Sequence, residues 1–97
     1  MKRTYQEIVA IITNVVNEWD PYGLISGGAP KDEFESEIAK IATKVLNIKS
    51  AASLAEVISS VFTVSFEPEP FSVEKCMPVA SRLFAALKAH NLLEHEP

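Results

Sequence analysis

Apolar residues recur along this chain in four blocks at helical spacing, and no block keeps the two-residue alternation of a strand. In the first, Ile8, Ile12, Val15, Val16 and Trp19 share one face of a helix predicted over residues 4–19. Thr4 followed by Glu7 is a capping box that marks its start. Asp20-Pro21 marks its end, because proline disfavours helical geometry in the residue before it. The second stripe, Phe34, Ile38, Ile41, Ala42 and Val45, predicts a helix over 30–47. Pro30 suits its first turn, where a missing N–H costs nothing. Asp32, Glu33 and Glu35 then stand at the positive end of the helix dipole, with Lys40, Lys44 and Lys49 toward the negative end. The third stripe, Leu54, Val57, Ile58, Val61 and Phe62, predicts a helix over 51–65 that starts at Ser50 or at Ser53. Ser53 with Glu56 forms a second capping box. The fourth stripe, Cys76, Val79, Ala80, Leu83, Phe84 and Leu87, predicts a helix over 72–90 with Pro78 inside it. Either this helix is kinked at Pro78, or a short turn over Ser72 to Met77 precedes a new helix there.

The connections are uneven. Asp20 to Pro30 holds all three glycines and two of the six prolines, a loop longer than the roughly 2–8 residues usual between bundle helices. Glu67-Pro68-Glu69-Pro70 cannot continue a helix and reads as an extended or turn linker. Residues 91–97 read as a tail, with Leu92 and Leu93 docking back. The expected fold is all-α: a single four-helix bundle-like domain over residues 1–97, with a long first loop and a Pro-interrupted last helix. A length of 97 residues, 47% of them apolar, supports one core without metal or disulfide.

Charge sharpens the picture. The net charge is −4, and the excess lies in residues 18–37, where Glu18, Asp20, Asp32, Glu33, Glu35 and Glu37 face only Lys31. Nucleic acid and anionic membrane want the opposite sign, so neither is an expected partner. No apolar run reaches the roughly 18 residues of a membrane span. The single cysteine, Cys76, permits no internal disulfide and suits a reducing cytoplasm.

The string Trp19-Asp20-Pro21-Tyr22-Gly23 is the most distinctive. As a helix stop, Trp19 closes the core against Phe34 or Ile38, Asp20 accepts from loop N–H groups, and Gly23 supplies a positive φ. As a recognition surface, the same string sets an aromatic pair beside a fixed loop. With Leu24, and then Gly28-Ala29-Pro30 and Asp32-Glu33-Phe34, it resembles the signature of the YugE-like family of small bacterial proteins. The pattern covers about residues 14–46, with Tyr22 where an aliphatic residue is expected. The resemblance implies an all-α fold and a bacterial, cytoplasmic origin. It implies no activity and no catalytic residue.

Candidate chemistry is sparse. Glu33 and Glu37, four apart on a helix, could approach a hard cation, but no calcium-loop spacing accompanies them. Cys76 lies on an apolar stripe, His90 ends a helix, and His95 is in the tail. None belongs to a nucleophile, base and orienter set. Gly27-Gly28-Ala29-Pro30 lacks the Lys-Ser/Thr of a phosphate loop. The reading is a non-catalytic interaction module with no metal and no cofactor, of inhibitor or immunity type by analogy. Its expected partner is a basic protein, met by Asp20, Tyr22, Asp32, Glu33 and Glu37. The alternatives are a small acidic-site enzyme or divalent-metal protein, and a structural homodimer, with monomer or homodimer left open.

Overall fold

A computed structural model describes residues 2–30, 32–90 and 92. The four stripes become four α-helices, and there is no strand among the described residues: α1 (Lys2–Trp19), α2 (Glu35–Lys44), α3 (Ala51–Ser65) and α4 (Val73–Ala89). Each packs on its neighbours in chain order, and α1 closes the ring against α4. Their apolar faces meet in one core, where Ile12, Val16, Phe34, Ile41, Leu54, Ile58, Phe62, Leu83 and Leu87 are sealed from solvent. No helix is long and apolar enough to cross a membrane among the described residues.

Helix ends depart from expectation in instructive ways. α1 begins at Lys2, so Thr4 lies within the helix and is not its cap. Lys2 and Arg3 are good helix formers, and nothing before Thr4 breaks the helix. The largest correction is α2, which starts at Glu35 and not at Pro30. Before it the chain makes successive tight turns, with Glu33 N–H donating to the Pro30 carbonyl at 3.0 Å and Glu35 N–H to the Asp32 carbonyl at 3.1 Å. Phe34 then sits outside helical geometry at φ −104°, ψ 21°. The turns still bring the Phe34 side chain to the core, where it is fully buried as its stripe predicts. Burying a phenylalanine is worth about 1.5–3 kcal/mol, against a few tenths per residue for helix propensity. At the other end, Val45–Asn47 tighten into a 3₁₀ turn, so the helix is also shorter there.

Ser50 settles the start of α3 by accepting the Ser53 N–H at 3.1 Å. Ser53 is thereby inside the helix, and the Ser53–Glu56 capping box does not form as an N-cap. The Glu-Pro linker folds into a 3₁₀ turn, Glu69–Phe71, which buries Phe71. The Phe71 carbonyl accepts the Ser59 hydroxyl at 2.6 Å and tethers this turn to α3. Ser72 caps α4 by accepting the Lys75 N–H at 3.2 Å. Of residues 91–97 only Leu92 is among the described residues. It is 9% exposed and donates its N–H to the Leu87 carbonyl at 3.0 Å, so the chain docks back there. Leu93 and His95 lie outside the described residues.

α4 runs through Pro78 as one helix, which excludes a new helix starting at that residue. Pro78 leaves the Glu74 carbonyl without its helical donor. Glu74 and Pro78 are both exposed, where water can take up that carbonyl. Pro78→Ala should therefore stabilise the protein by roughly 1–3 kcal/mol, since it restores a hydrogen bond and loses no buried surface. Urea denaturation reads this directly, and a destabilised variant would show that Pro78 packs or positions something.

Candidate functional site

α1 ends on an unusual loop. The Asp20 N–H still closes the helix on the Val16 carbonyl at 2.8 Å, but its backbone turns left-handed at φ 52°, ψ 62°. The loop is wound about the Asp20 carboxylate. One oxygen accepts the Ile25 N–H at 2.7 Å, and the other accepts the Ser26 N–H at 3.0 Å and the Ser26 hydroxyl at 2.8 Å. Partial desolvation pushes the carboxyl up, but the hydrogen bonds from Ser26 and Ile25 outweigh it and hold it below the usual carboxylate range. Gly23 takes the expected positive φ, 64°. The expected helix stop is thus present in detail.

Tyr22 is not explained by a helix stop. Its φ is 65°, in the left-handed region that a bulky L-residue disfavours. It is held there from a distance. Its hydroxyl donates to Glu67 at 2.7 Å, and its ring lies against Phe66 at 5.6 Å and Phe71 at 5.7 Å between centroids. The hydrogen bond to Glu67 pushes the phenol pKa up, with desolvation and the Glu67 charge adding to it.

Behind Tyr22 lies an aromatic cluster drawn from across the chain. Phe62 is its hub, with ring centroids 5.2 Å from Trp19, 6.0 Å from Phe34, 5.8 Å from Phe66 and 5.2 Å from Phe71. Trp19 meets Phe62 and Phe71 edge-on and is half-buried. Its ring partners are Phe62, near the end of α3, and Phe71; Phe34, one of the two partners expected, is not among them. Phe34, Phe62 and Phe71 are buried, whereas Tyr22 is 51% exposed and Phe66 38%. The cluster therefore reaches the surface through these two rings. Phe66 and Glu67 were missed in sequence, where they read only as the approach to a proline linker.

The acidic residues separate. Asp20 spends both oxygens within the loop. Asp32 and Glu33 are exposed on the turn before α2, next to Phe34. Glu37 lies on the inner side of α2 at 8% exposure. Because the helix starts at Glu35, Glu33 and Glu37 do not stand on one helical face. Glu18 reaches across to pair with Arg82 of α4. Among the described residues, no three His, Cys, Asp or Glu side chains converge as a metal would need. Burial pushes the Cys76 thiol up to about 11, and the S–H points at the Phe71 carbonyl as a packed core group does.

The Asp20 shift carries a pH dependence. A carboxyl whose pKa is lowered by folding stabilises above its unfolded pKa and loses that contribution as pH falls through the folded value. The stability difference between the native chain and Asp20→Asn should therefore be full near neutrality and shrink in acid. Urea titrations at several pH values would measure it, and a difference that stays constant with pH would rule the carboxylate out as the loop's organiser.

A family model described as a domain of unknown function (DUF1871) matches residues 11–91. The chain belongs to this family. No curated protein and no solved structure matches the chain. The DUF1871 match spans the Asp20 loop, the aromatic cluster and the bulk of all four helices. The family description assigns DUF1871 no activity.

Proposed function

We propose that this DUF1871 chain is a small non-catalytic protein–protein interaction module of the bacterial cytoplasm, and that it docks a basic protein on the loop end of the bundle. The observation that carries this reading is Tyr22. A chain that only had to turn could place glycine at φ 65°, as it does at Gly23. Instead a half-exposed aromatic ring is held in a disfavoured conformation by Glu67, Phe66 and Phe71. Strain of this kind clusters at sites where a side chain must be presented. Tyr22 and Phe66 would supply the anchoring rings, since a rigid tyrosine loses little entropy on binding. Asp32, Glu33 and Glu67 would steer a basic partner toward them. Asp20 enters as the residue that shapes the loop, and Glu37 as a support inside α2. An inhibitor or immunity-like role fits this arrangement by analogy, with a second copy of the chain as the competing occupant.

The test is affinity capture from extract of the source cell, followed by binding measurements with the captured protein. Tyr22→Ala should weaken binding about tenfold or more, as loss of a central aromatic anchor does. Asp32→Lys with Glu33→Lys should slow association and reduce its salt dependence. A partner that binds Tyr22→Ala as tightly as the native chain, at low and high salt alike, would sink the proposal.

A further inference from the structure

A second feature lies between α1 and α2 and shares Asp32 with the proposed docking face. Here the two helices leave an open groove of about 440 Å³. That volume falls within the range of small-molecule sites. Tyr5, Val9 and Thr13, spaced four apart along α1, form one wall, and Ile38 and Ala39 of α2 form the other. The Thr13 hydroxyl donates to the Val9 carbonyl at 2.7 Å, so its proton is already committed within α1. The walls therefore offer apolar contact. Ala39 matters for its size, because a larger side chain there would fill the space. Two acidic residues, Asp32 and Glu35, also line the groove, and no basic residue is among its lining residues within the described part of the chain. The positive end of the α2 dipole is met by its own Glu35 and Glu37, so it does not make the groove a seat for anions.

We propose that this groove binds a small amphiphilic ammonium ion, its apolar body against Val9, Ile38 and Ala39 and its charged head at Asp32 and Glu35. An apolar body alone would gain nothing from the two carboxylates, and a carboxylate-headed ligand would meet like charge. The ammonium head is the group that satisfies the rim, and a short hydrocarbon is the group that fills the walls. This site does not depend on the docking role of Tyr22.

The experiment uses the full chain with three probes of equal body and different head: hexylammonium, hexanol and hexanoate. Backbone-amide NMR shifts and calorimetry follow the titrations. Hexylammonium should give saturable shifts at Val9, Thr13, Ile38 and Ala39, with hexanol about fivefold weaker or more and hexanoate weaker still. Asp32→Asn with Glu35→Gln should bring hexylammonium down to the level of hexanol. Ala39→Leu should weaken both, with Val9→Phe as a second filling variant should the first fail to fold. Tyr22→Ala should leave all three titrations unchanged, which separates this site from the Tyr22 contact, although Asp32 belongs to both. No saturable shift with hexylammonium up to about 10 mM, hexanol binding as tightly as the amine, or indifference to the carboxamide pair would each overturn the assignment.

Discussion

Phe62→Ala should destabilise the fold by about 3–5 kcal/mol, the usual cost of emptying a large core aromatic site. Phe62 is fully buried and stands in ring contact with Trp19, Phe34, Phe66 and Phe71. Each favourable aromatic pair adds about 0.5–1.5 kcal/mol beyond area burial, which places this site toward the upper part of the range. The loss is a large share of the roughly 5–15 kcal/mol expected for a chain of this size. Urea denaturation is the measurement, with Phe62→Leu as a milder partner that retains most of the volume. The effect should also spread. Phe66 and Phe71 carry Tyr22, so the loop should lose its fixed conformation before the helices unfold. A loss below about 1 kcal/mol would mean that the cluster repacks and that Phe62 is not its hub.

Trp19→Ala should cost about 2–4 kcal/mol, less than for a fully buried ring because part of the indole is solvated. Its edge-on contacts at 5.2 Å to Phe62 and 5.8 Å to Phe71 join α1 to α3 and to the turn after it. These contacts close the bundle at the loop end, so their loss should lower stability and loosen Asp20 to Ala29 together. Trp19→Phe should cost about 1 kcal/mol, since it keeps an aromatic edge in place. As the only tryptophan in the chain, Trp19 also reports on its own surroundings by fluorescence. Native emission unchanged by Phe62→Ala would contradict the packing described here.

α3 was legible almost to the residue. A serine cap, an unbroken apolar stripe and a Glu-Pro stop are all local signals, and 51–65 is both the expected and the observed span. The Asp20 stop was legible for the same reason: its hydrogen-bond partners are only five and six residues ahead. α2 was overextended because the capping and charge pattern at Pro30 to Glu33 favours a helix start; Phe34 reaches the core as its stripe predicts, but nothing nearby records that tight turns and not a helix bring it there. The positive φ at Tyr22 was illegible for a similar reason. A tyrosine carries no local preference for that conformation, and its restraint by Glu67 lies 45 residues away.

The sequence by itself determined an all-α chain with four apolar stripes, their approximate extents, the Asp20 turn and the concentration of negative charge in residues 18–37. These follow from interactions within a few residues, where spacing and capping act through short loops of chain. Only the tertiary structure decided that Trp19 meets Phe62 and not Phe34, and that Glu18 pairs with Arg82 across 64 residues. It alone decided that Glu37 turns inward while Glu33 stays outside, and that Tyr22 and Phe66 surface together. Such pairings depend on how all four helices share one core. Burying a phenylalanine or tryptophan there outweighs the few tenths of a kcal/mol per residue by which local sequence prefers one backbone geometry over another.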